Sequence, residues 1–143
     1  VGLFDAFDAS GSGLSAERLR MDVTAENLAN AQSTRTANGS GPYRRKTVAL
    51  EQAGAGAPTS FADSLQAARG VRVAGIVEDP TPLRKVYDPG HPDADKDGYV
   101  TMPNVNTVTE MTDLIGASRA YEANVTAMQT AKSMFTRTLD LLK

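Results

Sequence analysis

The sequence has no cysteine, no tryptophan and a single histidine, His91. Without thiols there is no disulfide, no thiol nucleophile and no Cys-ligated zinc or iron–sulfur centre. One imidazole does not make a His-rich metal or acid–base site. No apolar run approaches the roughly 18 residues of a membrane-spanning helix, so direct membrane insertion is not expected. Charge of one sign is missing too: 15 Lys and Arg stand against 17 Asp and Glu, a net of −2 over 143 residues. No basic excess remains to attract a phosphate backbone, and nucleic acid is not an expected partner. The first residues show no positively charged segment followed by an apolar stretch, the mark of a cleaved secretory signal.

Proline is absent from both ends. All seven prolines (42, 58, 80, 82, 89, 92 and 103) lie in the middle, and residues 104–143 contain one glycine, Gly116. The chain therefore divides into helix-permissive ends and a broken middle. With 41% apolar residues, four Tyr and four Phe, any core is thin.

The C-terminal segment is the clearest element. Thr107 and Glu110 form a capping-box pattern after Pro103, and only Gly116 interrupts the run to Lys143. Leu114, Tyr121, Met128, Phe135 and Leu142 recur every seven residues, with Ser118, Val125, Lys132 and Leu139 interleaved. This spacing lays an apolar seam along one helix, about 50 Å long at ~1.5 Å per residue. At the N-terminal end, Ser12 or Ser15 is the expected cap of a helix running to about Asn30. Phe7, Leu14, Met21 and Leu28 again fall seven apart, with Ala25 between rows. The second helix is expected to outrun the first, leaving apolar seam without a partner in its own chain. Unpaired apolar seam points to an interface between molecules.

In the middle, Tyr43–Leu50 is β-prone, Gln52–Ser60 reads as a flexible linker and Phe61–Arg69 as a short helix. Val71–Val77, Leu83–Tyr87 and Tyr99–Met102 read as short strands between Pro- and Asp-rich turns. The expected fold is mainly α: N- and C-terminal helices packed as a coiled-coil-like hairpin, with a small irregular β-containing middle region. The expected divisions are 1–34, 35–103 and 104–143.

Two motifs bear on chemistry. Asp93-Ala-Asp95-Lys-Asp97-Gly98 matches the first half of a calcium-binding EF-hand loop, but position 12 is Asn104, where a bidentate Glu belongs. A turn joining two extended segments is the favoured reading. A small calcium-responsive module on Asp93–Gly98 is the alternative. Tyr43-Arg44-Arg45-Lys46, the one dense basic cluster, reads as a solvated strand or as contacts to an acidic neighbour. No ordered catalytic pattern surrounds the serines or His91, so neither enzymatic activity nor a cofactor or metal is expected.

Thr24-Ala25-Glu26-Asn27-Leu28-Ala29-Asn30-Ala31-Gln32-Ser33-Thr34 resembles the Asn-Leu-Ala-Asn signature of bacterial flagellar rod, hook and hook-associated proteins. Val86-Tyr87-Asp88-Pro89-Gly90-His91-Pro92, then Gly98-Tyr99-Val100 and Pro103-Asn104-Val105, with Ala120-Tyr121-Glu122-Ala123-Asn124, resemble the proximal rod proteins within that family. The Gly-Phe that follows Asn-Thr in the broader signature is absent, and residues 51–65 match nothing. The resemblance implies a structural subunit of the basal-body rod that transmits torque and assembles around the export channel. It also implies export by the flagellar type III apparatus without a cleaved signal, to a rod that is periplasmic where the cell has an outer membrane. The implied partners are further copies of the chain and other rod proteins, with export-gate, ring or hook-junction components nearby. By the same analogy Asn27 and Asn30, one turn apart, are expected to cap or cross-link neighbouring backbones. The expected assembly interface comprises Leu14, Met21, Asn27, Leu28, Asn30, Leu114, Tyr121, Val125, Met128, Phe135, Leu139 and Leu142.

Overall fold

A computed structural model describes residues 3–36, 39, 41–53 and 70–140. Helix α1 (Leu3–Ala29) is followed by strands β1 (Lys46–Gln52), β2 (Val71–Glu78), β3 (Arg84–Tyr87) and β4 (Tyr99–Met102), and helix α2 (Thr107–Asp140) closes the fold. The mainly α hairpin with a small β-containing middle is thus the observed architecture. Residues 54–60 of the expected linker and the expected short helix at 61–69 lie outside the described residues.

Both helix starts differ from the sequence reading. Ser12 and Ser15 are not caps; each lies inside α1 and donates its hydroxyl to a preceding carbonyl, Ala9 O at 2.9 Å and Gly11 O at 3.1 Å. Packing overrides the low propensity of Gly11-Ser12-Gly13. A Cβ on Gly13 would sit 3.0 Å from the Asn124 amide nitrogen, so glycine lets α2 come close. The upstream extension also shrinks the expected length mismatch, to 27 residues in α1 against 34 in α2. At α2, the cap is Asn106, not Thr107: its Oδ1 accepts from Val108 N–H at 3.0 Å and Thr109 N–H at 3.4 Å. Glu110 does not reach back to close a capping box but points inward.

The helices run antiparallel. Asn27 bonds Glu110 near the closed end, and Gly13 meets Asn124 fourteen residues further along each helix. That constant alignment sets Val23 level with Leu114 and Ala16 with Tyr121. The row α1 buries contains Ala16, Val23 and Asn27, while α2 buries Glu110 and Ala117. The side chains at this contact are small, in keeping with the thin core.

The strands form two antiparallel ribbons, β1–β2 and β3–β4. In the first, Ala49 faces Gly75 but Leu50 faces Val73, so Ala74 bulges out of register. The second pairs Tyr87 with Tyr99, whose rings meet edge to face at 5.3 Å. Asn104 ties the pieces together: its Oδ1 accepts Arg45 N–H at 2.8 Å, and its Nδ2 donates to Asp79 O and Thr81 O, both at 3.2 Å. A small apolar cluster of Ala31, Tyr43 and Val105 lies beside this joint.

Candidate assembly surface

On α2, Leu114, Tyr121, Val125 and Met128 are half-buried. Further along, Met134, Phe135 and Leu139 are 60%, 42% and 46% exposed. The hairpin alignment explains the change, because it sets Leu3, the first residue of α1, level with Met134. Beyond that point, among the described residues, α2 has no helix of its own chain beside it. Leu142 lies outside the described residues.

On α1, Leu14, Met21, Leu28 and Asn30 are half-buried. Leu14 and Met21 stand two residues before Ala16 and Val23, about 160° around the helix from the buried row. Asn30 bonds within its own turn, Nδ2 to Glu26 O at 2.9 Å, and its Oδ1 accepts the Ser33 hydroxyl. Asn27 is buried. It does cross-link a backbone, but its own chain's: Nδ2 donates to Lys46 O at 2.8 Å and Oδ1 accepts Lys46 N–H at 2.9 Å.

A second apolar row went unread in the sequence. Val108, Met111 and Ile115, spaced i, i+3 and i+7, are all exposed, Val108 to 70%. Ile115 borders an open groove with Leu114, Ser118, Arg119 and Glu122. The signal was a second i, i+3, i+7 row, one residue round from the seam counted from Leu114.

The buried joint also went unrecognised. Glu110 is fully buried, and its carboxylate accepts from Arg45 Nε at 2.6 Å and from Asn27 Nδ2 at 2.9 Å. Arg45 further pairs with Asp113 at 3.3 Å and Asp79 at 3.6 Å. Burial works against the Arg45 charge, but the Glu110 hydrogen bond and charge, with Asp79 and Asp113, outweigh it and hold the guanidinium pKa above its ordinary value. The Tyr43 hydroxyl donates to Asn27 Oδ1 at 2.9 Å, and burial, then Glu26, Glu110 and Glu78, push its pKa up to about 12. The acidic neighbours expected for the basic cluster are therefore in the same chain, and Lys46 adds a pair with Glu26 at 2.6 Å.

The Asp93–Gly98 segment is a turn between β3 and β4. Asp95 Oδ1 accepts from Asp97 N–H at 3.0 Å and Tyr99 N–H at 2.8 Å, and Gly98 has φ +80°. Asp93 turns instead to the Thr34 hydroxyl at 2.7 Å and the Arg35 guanidinium, which together hold its carboxyl below the usual range. The Nδ1 of His91 accepts Asp93 N–H at 3.1 Å. Among the described residues, no three His, Asp or Glu side chains are placed to share a metal ion. Nor is any helix of the described residues long and apolar enough to cross a membrane.

Comparison with known proteins bears on what this surface serves. Residues 7–35 match the family described as flagella basal body rod protein, and residues 96–141 the family described as flagellar basal body rod FlgEFG protein C-terminal. The flagellar basal-body rod protein FlgC of Borreliella burgdorferi is 44% identical, over 100% of this chain and 99% of its own length. FlgC of Bacillus subtilis is 43% identical over 98% of each chain, and FlgC of Salmonella typhimurium 43% identical over 99% of this chain and 98% of its own. Two family models at the two helices and relatives aligned nearly end to end agree, and the chain belongs to the FlgC family of flagellar basal-body rod proteins.

Proposed function

We propose that this structural subunit of the basal-body rod is completed by its neighbours, through apolar surface that its own hairpin leaves unpaired. The observation that carries this reading is the stretch of α2 past the end of α1, where Met134, Phe135 and Leu139 stand exposed. Leu14, Met21 and Leu28, off the buried row of α1, and Leu114, Tyr121, Val125 and Met128 on α2 extend the surface along the hairpin. Asn30 adds a polar edge, and Leu142 continues the α2 spacing. Asn27 contributes from inside, by holding the hairpin that presents them.

The partners in this reading are further copies and other rod proteins, in contacts that repeat head to tail and do not close. Such contacts, many in parallel, transmit torque and surround the export channel. Export-gate, ring or hook-junction components are the neighbours at the rod's ends. The subunit works outside the cytoplasm, in the periplasm where there is an outer membrane. Segments 1–34 and 104–143 build the tube, and 35–103 forms the small middle region held against them by Tyr43, Arg45 and Lys46.

Phe135→Asp and Leu139→Asp test the surface. Both positions lie beyond the paired part of the hairpin, so the helical signal of the purified chain is expected to stay within about a tenth of the unchanged chain's. Incorporation into rods and swimming are expected to be lost, because an unpaired charge resists burial between subunits. Normal swimming by both variants overturns the assignment.

A further inference from the structure

We propose that the buried cluster of Asn27, Tyr43, Arg45 and Glu110 is a register lock: it selects one alignment of α1 against α2 from alternatives a heptad apart. The need for a lock follows from the contact between the helices. Gly13, Ala16, Val23 and Ala117 are small, Ala16 and Val23 stand seven residues apart on α1, and Leu114, Tyr121 and Met128 repeat at the same interval on α2. Shallow packing with a sevenfold repeat tolerates a seven-residue slip. In one direction the slip brings Gly13 level with Ala117, Ala16 with Leu114 and Arg20 with Glu110. In the other, Ala16 comes level with Met128 and Gly13 with Ala131. Each keeps Gly13 and Ala16 against small or apolar side chains, and the first even supplies Glu110 with a new cation.

What neither slip preserves is the environment of Asn27. In the observed alignment its amide makes four hydrogen bonds, to Lys46 O, Lys46 N–H, the Tyr43 hydroxyl and Glu110, which uses its whole donor and acceptor capacity. After a slip Asn27 stands level with Pro103 or with Ala117, and neither side chain bonds an amide. Meanwhile Glu110 loses Asn27, and the 43–46 segment loses the anchor that seats Arg45 over α2. A buried polar side chain left without partners is costly, so the cluster penalises the wrong alignments more than it strengthens the right one. A repeating assembly needs this, since identical contacts require identical subunits.

The absence of native cysteine makes the alignment directly readable. In the purified full-length chain, Gly13→Cys with Asn124→Cys reports the observed alignment, and Gly13→Cys with Ala117→Cys reports the slipped one. Intramolecular cross-linking is followed by gel mobility. In the otherwise unchanged chain only the 13/124 pair is expected to close. With Asn27→Leu and Glu110→Leu together, helix content is expected to persist, because Arg45 keeps Asp79 and Asp113. The ratio of 13/117 to 13/124 cross-link is then expected to rise about tenfold or more. Asn27→Ala alone, which leaves the Arg45–Glu110 pair in place, is the second arm and is expected to move the ratio the same way. An unmoved ratio in both variants overturns the proposal. So does loss of helix in both, since the cluster would then be required for the hairpin to form, not for choosing its alignment.

Discussion

Tyr43 and Glu110 sit in one buried cluster, and their surroundings govern what a proton costs there. Burial, then the charges of Glu26, Glu110 and Glu78, disfavour an ionised Tyr43 and raise its pKa from 10.0 to about 12. Linkage gives the sign. The folded state holds this proton more tightly than the unfolded state, so the stability it contributes is intact below pH 10 and is lost as pH climbs towards about 12. Tyrosinate absorbance checks this. Tyr43 is expected to ionise near 12, and Tyr43→Phe to abolish that late step. The same substitution removes one buried hydrogen bond and is expected to cost about 1 kcal/mol in urea unfolding. A late step that survives in Tyr43→Phe would belong to Tyr87, Tyr99 or Tyr121, and the burial of Tyr43 would not explain it.

At the level of elements, the turn between β3 and β4 rests on Gly98. Its φ of +80° is strained for an L side chain, and an added Cβ would stand 2.9 Å from the Tyr87 ring and 3.3 Å from Pro89. Gly98→Ala is therefore expected to lower stability by about 1–2 kcal/mol and to displace the Tyr87–Tyr99 edge contact. Gly90→Ala in the same turn has normal φ and only an ordinary contact at 3.6 Å, and is expected to change stability by less than about 0.5 kcal/mol. Equal losses in urea midpoints for the two would contradict this account. The strands were legible in the sequence because each is a short β-branched or aromatic run between Pro, Gly and Asp. The body of α2 was legible because no proline and only one glycine, Gly116, stands in the sequence after Pro103. The start of α1 was not: Ser12 and Ser15, beside Gly11 and Gly13, read as caps, and only the approach of Asn124 to Gly13 reveals why glycine belongs inside the helix. Glu110 was misread for a related reason. Spacing from Thr107 is visible locally, whereas its true partner Arg45 is 65 residues away in sequence. Likewise, the seam counted from Leu114 passed over Val108, Met111 and Ile115, a second row about 100° further round the same helix.

For the whole molecule, the alignment of the hairpin divides α2 into parts of unequal support. From Glu110 to Asn124 the helix is held by α1 and by Arg45. After Met134 it has no residue of Leu3–Ala29 level with it, and its threonines at 136 and 138 donate to carbonyls four residues back in the same helix. A helical end of under two turns, with no partner helix among the described residues, is marginal in water. Amide hydrogen exchange should register the division directly. In the isolated chain, amides of 135–140 are expected to exchange roughly a hundredfold faster than those of 114–124, because local opening there breaks no tertiary contact. In assembled rods the same amides are expected to slow to the rate of the paired part, since Phe135 and Leu139 would then be covered. The two measurements separate cause from coincidence. Fast exchange that persists in the rod would mean that neighbours do not complete this end of α2. Slow exchange already present in the isolated chain would mean that the overhang supports itself, and its exposed apolar side chains would no longer argue for a partner.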